Sequence, residues 1–500
     1  MTSLHSKVFS GAVLMVMLRL MVKSIGLINT IILARLLAPE DFGLIALAMS
    51  VFAFLELINS FSFDVALIQN QNATKAHYDT AWTLKLCFGL LAGTLMVIAA
   101  HPLAGFYEDE RLVSLCYCLA LMFVVNGAVN IGVVNFRKEL DFKTEFLFQI
   151  LIKILTVSLT IYLAFTLQNY WALAIGMIAN ATFEFILSYI MSKFRPWFSL
   201  EKVKEIFGFS FWLVLNNALM YLNLRVKDLI IGKYTDIKFV GLYSVGDEIA
   251  SLPTTEFVAA INRATFPGYS KVSHKIQALR DLYVNVLSSI TLIGIPASIG
   301  IALVAPLFIP VVLGDQWLLA IPIMQILAVA NAIISINTNA GYVFIALGKP
   351  RYSTFLLSIR VGILLTLMFT LIELFGYIGA AYAVLITSIV MFPVYFMILS
   401  RFIKLAPSDY IKAIVRPTLS SLIMYIGGSY LIYNGLYLPG TAPAQVEANL
   451  LNLLWAIGIG GVLFSVSLCA LWVCAGKPPG PEQKVIEHIS KKLLKRKATD

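Results

Sequence analysis

The chain has 500 residues, 59% of them hydrophobic and 13% charged, with a mean hydropathy of +0.86 and a formal charge of +10. Soluble domains carry about 25% charged residues, so this composition excludes a soluble globular protein. The basic excess is scattered over short inter-helix segments and a C-terminal tail, which argues against a nucleic-acid surface and for membrane orientation. Cys87, Cys116, Cys118, Cys469 and Cys474 form no C-x-x-C pair and have no histidine at metal spacing, so they read as small apolar residues. No metal or other cofactor is expected.

A span needs about 20 apolar residues. On that basis about fourteen helices follow one another, near 14–37, 43–63, 81–101, 112–134, 146–166, 170–192, 208–231, 241–262, 282–305, 320–346, 353–374, 376–399, 413–434 and 450–474. The expected fold class is an all-α polytopic membrane protein. The first run is read as a span and not as a cleavable leader, because it is long, holds Arg19 and Lys23, and lacks a small-residue cleavage site. No loop exceeds about 20 residues, so no extramembrane catalytic domain is expected. In the tail, Val485, Ile486, Ile489, Leu493 and Leu494 recur at helical spacing among lysines. They fit either a short amphipathic helix on an anionic membrane surface or a solvated tail.

With the N-terminus placed in the cytoplasm, 26 of the 37 Lys and Arg residues fall on the cytoplasmic side, four on the opposite side and seven inside spans. That asymmetry supports the helix count and predicts that both termini are cytoplasmic.

The stretch "ILARLLAPEDFGLIAL" (Ile32 to Leu47) has an echo in "IIGKYTDIKFVGLYSV" (Ile230 to Val245). Arg35 and Gly43 correspond to Lys233 and Gly241. Pro102 aligns with Pro306, and Lys153 with Arg360, at similar offsets of about 200 residues. An offset of six helices keeps both copies in the same orientation, which defines a parallel repeat. The expected divisions are 1–200 and 201–405, each with six helices, then two further helices in 406–476 and a basic tail over 477–500.

The embedded charges raise the functional question. Arg19, Lys23, Gly26 and Thr30 form one stripe on the first helix. Asn217, Tyr221, Arg225 and Asp228 form another on the seventh; the second helix carries Glu56, Ser60 and Asp64, and the eighth Asp247, Ser251 and Thr254. Such stripes most simply line a shared water-filled cavity, because a charge at the bilayer centre costs about 2.5–3.5 kcal/mol or more. Arg19 and Lys23 also lie close enough to the interface to snorkel, as does Lys85. Arg225, Lys227 and Asp228 could pair locally. Lys153 and Arg360 sit mid-span with no acid on the same turn. The candidate substrate-binding cations are therefore Arg19, Lys23, Lys153, Arg225 and Arg360. Asp247, Glu256 and Glu56 are the candidates for proton or sodium coupling. Pro253, Pro296, Pro322 and Pro393 fall inside spans and permit kinks, and Gly89-x-x-x-Gly93 fits a close helix contact.

Taken together, "ILARLLAPEDFGLIALA", "ALIQ" (Ala66 to Gln69), "FRKELDFK" (Phe136 to Lys143), "DLIIGKYTDIKFVGLYSV", "RATFPGYSKV" (Arg263 to Val272), "LGDQW" (Leu313 to Trp317) and "LGKPR" (Leu347 to Arg351) resemble the bacterial polysaccharide flippases of the colanic-acid exporter and O-antigen type. These belong to the multidrug/oligosaccharidyl-lipid/polysaccharide exporter superfamily. The resemblance spans roughly residues 1–420. It implies two six-helix lobes forming a V around a central cavity, with two appended helices, in the inner membrane. It implies a cargo of undecaprenyl-diphosphate-linked oligosaccharide moved from the cytoplasmic to the periplasmic leaflet, with membrane lipids and polysaccharide polymerase machinery as partners. A multidrug or cation antiporter of the same superfamily is the alternative. An enzyme is not expected. The loop motifs, "APEDFG" among them, are expected to hold helix ends together and not to touch cargo.

Overall fold

The computed structural model describes residues 2–57, 63–70, 72–203, 211–435, 448–478 and 480–483. The tail helix expected over Val485 to Leu494, and Ser60 of the second stripe, lie outside these residues. Every described regular element is helical: α1 (Thr2–Leu36), α2 (Pro39–Glu56), α3 (Phe63–Gln69), α4 (Lys75–Tyr107), α5 (Arg111–Ala128), α6 (Val134–Lys138), α7 (Phe142–Leu167), α8 (Trp171–Met191), α9 (Phe211–Leu224), α10 (Val226–Tyr234), α11 (Ile237–Leu252), α12 (Ala259–Val272), α13 (Ile276–Phe308), α14 (Ala320–Ala346), α15 (Pro350–Phe375), α16 (Gly379–Ile403), α17 (Pro407–Tyr433) and α18 (Leu450–Cys474). Among the described residues, nine helical stretches are long and apolar enough to cross a membrane. The protein is a multi-pass, all-α membrane protein.

Departures from the expected spans have local causes. The expected 43–63 helix stops at Glu56, and a separate short helix starts at Phe63. The expected 208–231 helix is broken at Arg225, which lies between α9 and α10. Pro253 has no N–H to give, and the chain widens into a π-helical turn over Pro253–Val258 before α12 resumes. A second π-helical turn, Ile309–Leu313, follows Pro306 at the end of α13. The helices α4 and α13 are each 33 residues long and carry Pro102 and Pro306 near their C-terminal ends.

The chain divides into two compact units, residues 1–241 and 242–500. In the first, α1 lies along α7, α7 along α8, and α4 along α5. The α4–α5 approach needs small residues. A Cβ on Gly89 would meet the Phe123 carbonyl at 2.6 Å, one on Gly93 the Ala120 carbonyl at 3.0 Å, and one on Gly127 the Lys85 carbonyl at 3.0 Å. After α8 an extended segment is pinned back onto α4: Trp197 N–H donates to Asp79 (2.9 Å) and Ser199 N–H to Thr83 (3.0 Å). In the second unit α13 packs on α14, α17 and α18, and α14 on α16. Its core holds Tyr269, Tyr283, Phe344 and Tyr410.

The loop motifs resolve into structural joints. In "APEDFG", Asp41 accepts from the Ala38 N–H at 3.0 Å and from the Tyr170 N–H at 2.8 Å, tying the start of α2 to the start of α8. In "FRKELDFK", Phe136 packs with Phe148 and Ile152, and Arg137 pairs with Glu145 at 2.6 Å. Lys138 donates to the Asn70 carbonyl at 2.8 Å, and Asp141 caps α7. Tyr269 of "RATFPGYSKV" is held by the Asn339 side-chain amide at 2.8 Å, and Trp317 of "LGDQW" is fully buried.

One joint concerns the two echoing motifs. A Cβ on Gly43 would overlap the carbonyl oxygen of Ile237 and lie 3.0 Å from the Gly241 nitrogen. A Cβ on Gly241 would overlap the carbonyl oxygen of Pro39 and lie 2.8 Å from the Gly43 nitrogen. Pro39 and Ile237 each stand four residues before their glycine, so the contact is reciprocal. Two backbones meet here with no room for side chains.

Candidate functional site

The first helix supplies the first charges. From Leu14 to Thr30, Leu18 is the fully buried residue, and Arg19 and Lys23 are exposed. Lys153 of α7 is half-buried, and its Nζ lies 3.6 Å from where a Cβ on Gly26 would stand. The absent side chain of Gly26 leaves room for the ammonium end of Lys153. Gly26 is one turn beyond Lys23 on the same stripe, so three of the five candidate cations, Arg19, Lys23 and Lys153, gather on the adjoining helices α1 and α7.

A second centre in the same unit has mixed sign. Glu56, Asp64, Lys85, Asn126 and Asn217 line a cavity of about 370 Å³, with Phe52 stacked on Phe123 at 4.0 Å in its wall. Glu56 and Asn217 come from two different predicted stripes. Arg225, exposed at the break between α9 and α10, is within electrostatic reach of Glu56, and Glu184 is within reach of Lys85 and Asp64. Asp228 turns elsewhere: it is buried, with Ser50 Oγ at 3.1 Å from its carboxylate. Lys85 was assigned to snorkelling from its place near a helix end, but its side chain lines this cavity. Asp64 lies on the short α3.

In the second unit Arg360 sits on α15 within electrostatic reach of Asp247 on α11 and Tyr395 on α16. Its Nε is buried and makes no hydrogen bond. The acid absent from its own turn is supplied by another helix. Glu256 lies in the π-helical turn, beside a polar seam in which Thr254 reaches the Asn331 carbonyl and Asn262 donates to Thr338 at 3.1 Å. His101, at a span end, contacts the Tyr117 hydroxyl at 3.1 Å. Among the described residues no group of three or more His, Cys, Asp or Glu side chains is placed to hold a metal ion.

Among the described residues the arrangement is one of charges distributed along helices. Comparison with known proteins settles the class. Residues 32–322 match the family model described as "Polysaccharide biosynthesis protein". The chain belongs to that family. It is 25% identical over 434 residues to the teichuronic acid biosynthesis protein TuaB of Bacillus subtilis, covering 85% of this chain and 89% of that protein. It is 24% identical over 359 residues to the lipopolysaccharide biosynthesis protein WzxC of Escherichia coli, covering 70% and 72%. Among solved structures it resembles a lipid II flippase MurJ in an inward closed conformation, with a TM-score of 0.74, 15% identity and coverage of 92% of this chain and 98% of that one. It also resembles an inward-facing MATE family multidrug transporter, with a TM-score of 0.56, 17% identity and coverage of 76% and 95%. The resemblance seen in the sequence motifs is thereby borne out. This member of the polysaccharide biosynthesis family has a MurJ- and MATE-like transporter fold.

Proposed function

We propose that the protein is a flippase that moves an undecaprenyl-diphosphate-linked oligosaccharide from the cytoplasmic to the periplasmic leaflet of the inner membrane by alternating access. The observation that carries this reading is the meeting of Lys153 with the Arg19–Lys23–Gly26 stripe. A diphosphate loses its hydration on entering the membrane, and guanidinium and ammonium groups replace it with charge-assisted hydrogen bonds. Arg225 and Arg360 are proposed to extend this cationic path, with Asp247 moderating Arg360. The different glycans in the names of the two relatives support a cargo class defined by its lipid-linked anionic group more than by its sugar.

The carboxylates Glu56, Asp247 and Glu256 are proposed as sites where a proton or sodium ion couples to the cycle, Glu56 with the support of its place in a mixed-charge cavity. The reciprocal glycine contact supports the parallel repeat, and the basic asymmetry of the loops supports cytoplasmic termini. The test is the double variant Arg19→Ala/Lys153→Ala. It should reach the membrane in normal amount and fail to export glycan, with lipid-linked oligosaccharide accumulating on the cytoplasmic side. Normal export would overturn the cationic-path reading.

A further inference from the structure

We propose that a pocket at the ends of α13, α17 and α18 binds the zwitterionic headgroup of a phospholipid that carries a primary ammonium, apart from any cargo path. Two helical stripes face the pocket. Asp281, Asn285 and Ser288 lie on one face of α13; Asp409, Lys412 and Arg416 lie on one face of α17. The two helices are fastened beside it by the Thr291 hydroxyl, which donates to the Ala413 carbonyl at 2.8 Å. The chain after α18 closes the third side. Trp472 Nε1–H donates to the Pro478 carbonyl at 3.1 Å, and Arg416 pairs with Glu482 at 3.0 Å. The enclosed volume is about 760 Å³, within the range of about 300–1,000 Å³ typical of small-ligand sites.

The distribution of charge selects the ligand. Arg416 is already balanced by Glu482, and Asp281 has Arg280 at 3.5 Å. What remains is one cation, Lys412, and one carboxylate, Asp409, on successive turns of α17. Of the residues that line the pocket, Arg416 adds one unused donor: its Nε is buried and makes no hydrogen bond. A spare N–H beside the Lys412 ammonium suits a phosphate, and the Asp409 carboxylate suits a primary ammonium. A purely anionic headgroup would leave the carboxylates uncompensated, and a quaternary amine could not donate to them. From the pocket mouth Ile411, Val415, Leu419, Leu422 and Ile426 continue along α17 as one exposed apolar stripe, on which acyl chains would lie. That stripe commits the site to a lipid and not to a free headgroup.

The test uses the full chain in nanodiscs holding equal parts phosphatidylethanolamine, phosphatidylglycerol and phosphatidylcholine, followed by extraction and native mass spectrometry of the retained lipid. Phosphatidylethanolamine should be retained about tenfold over the other two, the worth of one charge-assisted hydrogen bond. Lys412→Ala and Asp409→Asn should each bring retention towards parity while melting as the parent does. These positions are chosen over Arg416, whose removal would strand buried Glu482. Equal or greater retention of phosphatidylglycerol or phosphatidylcholine, or unchanged selectivity in both variants, would overturn the proposal. Displacement of the lipid by millimolar O-phosphoethanolamine would overturn the lipid assignment, and resistance to it supports the acyl stripe. None of these readouts depends on glycan export, so this proposal and the flippase reading fail separately.

Discussion

Replacing Gly43 or Gly241 by alanine tests the reciprocal backbone contact directly. At either position the added methyl would fall on a main-chain carbonyl, of Ile237 or of Pro39, with an amide nitrogen at 3.0 or 2.8 Å on its other side. Main chain cannot rotate away as a side chain can, so the cost belongs in the upper half of the overpacking range, about 2–3 kcal/mol for each single variant. Across the unit of residues 1–241, each kcal/mol moves a melting midpoint by roughly 2–4 °C, so each single variant should melt about 5–10 °C below the parent. The double variant carries more information. Once the first methyl has pushed the two segments apart, the second finds space, so the double should lose less than the sum by about 1 kcal/mol or more. Gly105, in the last turn of α4 with nothing within 4 Å of its would-be Cβ, is the control. There alanine should be neutral or stabilising by up to about 1 kcal/mol, through helix propensity alone. The assay is thermal unfolding in one fixed detergent and lipid mixture, read by intrinsic fluorescence. Single variants that melt with the parent, or a strictly additive double, would refute the close approach.

Two further outcomes follow from ion pairs outside the spans' centres. Arg137→Ala leaves Glu145, 2% exposed, without its 2.6 Å partner. Losing one partner of a buried pair costs about 3–5 kcal/mol, and the half-exposed Arg137 reduces this to about 2–3. Arg137→Ala/Glu145→Gln should recover most of it in the same melting assay. In the turn between α4 and α5, burial pushes the Asp109 carboxyl up, but the hydrogen bonds and charge of Arg111 outweigh it and hold the carboxyl below its usual value. A lowered carboxyl pKa contributes stability above the unfolded value and loses it as pH falls through the folded one. Arg111→Ala should therefore lower stability slightly at pH 6, by less than about 1 kcal/mol given the exposure of the arginine, and have no effect in acid strong enough to protonate the carboxyl in the folded chain as well. An equal loss at both pH values would show that the arginine acts through packing instead.

Much of the fold was legible because a membrane span is a composition signal. Runs such as 320–346 and 450–474 need only length and apolarity to be located, and both helices, α14 and α18, appear there. The joints were legible as motifs but not as contacts. "APEDFG" announces a helix start through Pro39 and the acids that follow, yet nothing local says that Asp41 will also reach the Tyr170 N–H. The break at Arg225 was hidden for a related reason: the residues on both sides are good helix formers, and tertiary packing decides where the chain turns.

The charged residues divide along the same line. Periodicity shows which side chains share a face, and it grouped Arg19 and Lys23 with Gly26, beside which Lys153 stands. It cannot show which helix a face will meet. Arg360 was read as isolated because no acid occupies its turn, whereas Asp247, more than a hundred residues earlier in the chain, comes within its reach. Lys85 was read as an interfacial side chain, whereas Glu56, Asp64 and Asn217 arrive from three other helices to share its cavity. In both cases a charge that looked costly on one helix is answered from another, as a low-dielectric interior requires. At α1 and α7, too, the sequence shows the stripe and not its neighbour: the Lys153 ammonium stands beside the space left by Gly26, although it lies more than a hundred residues further along the chain.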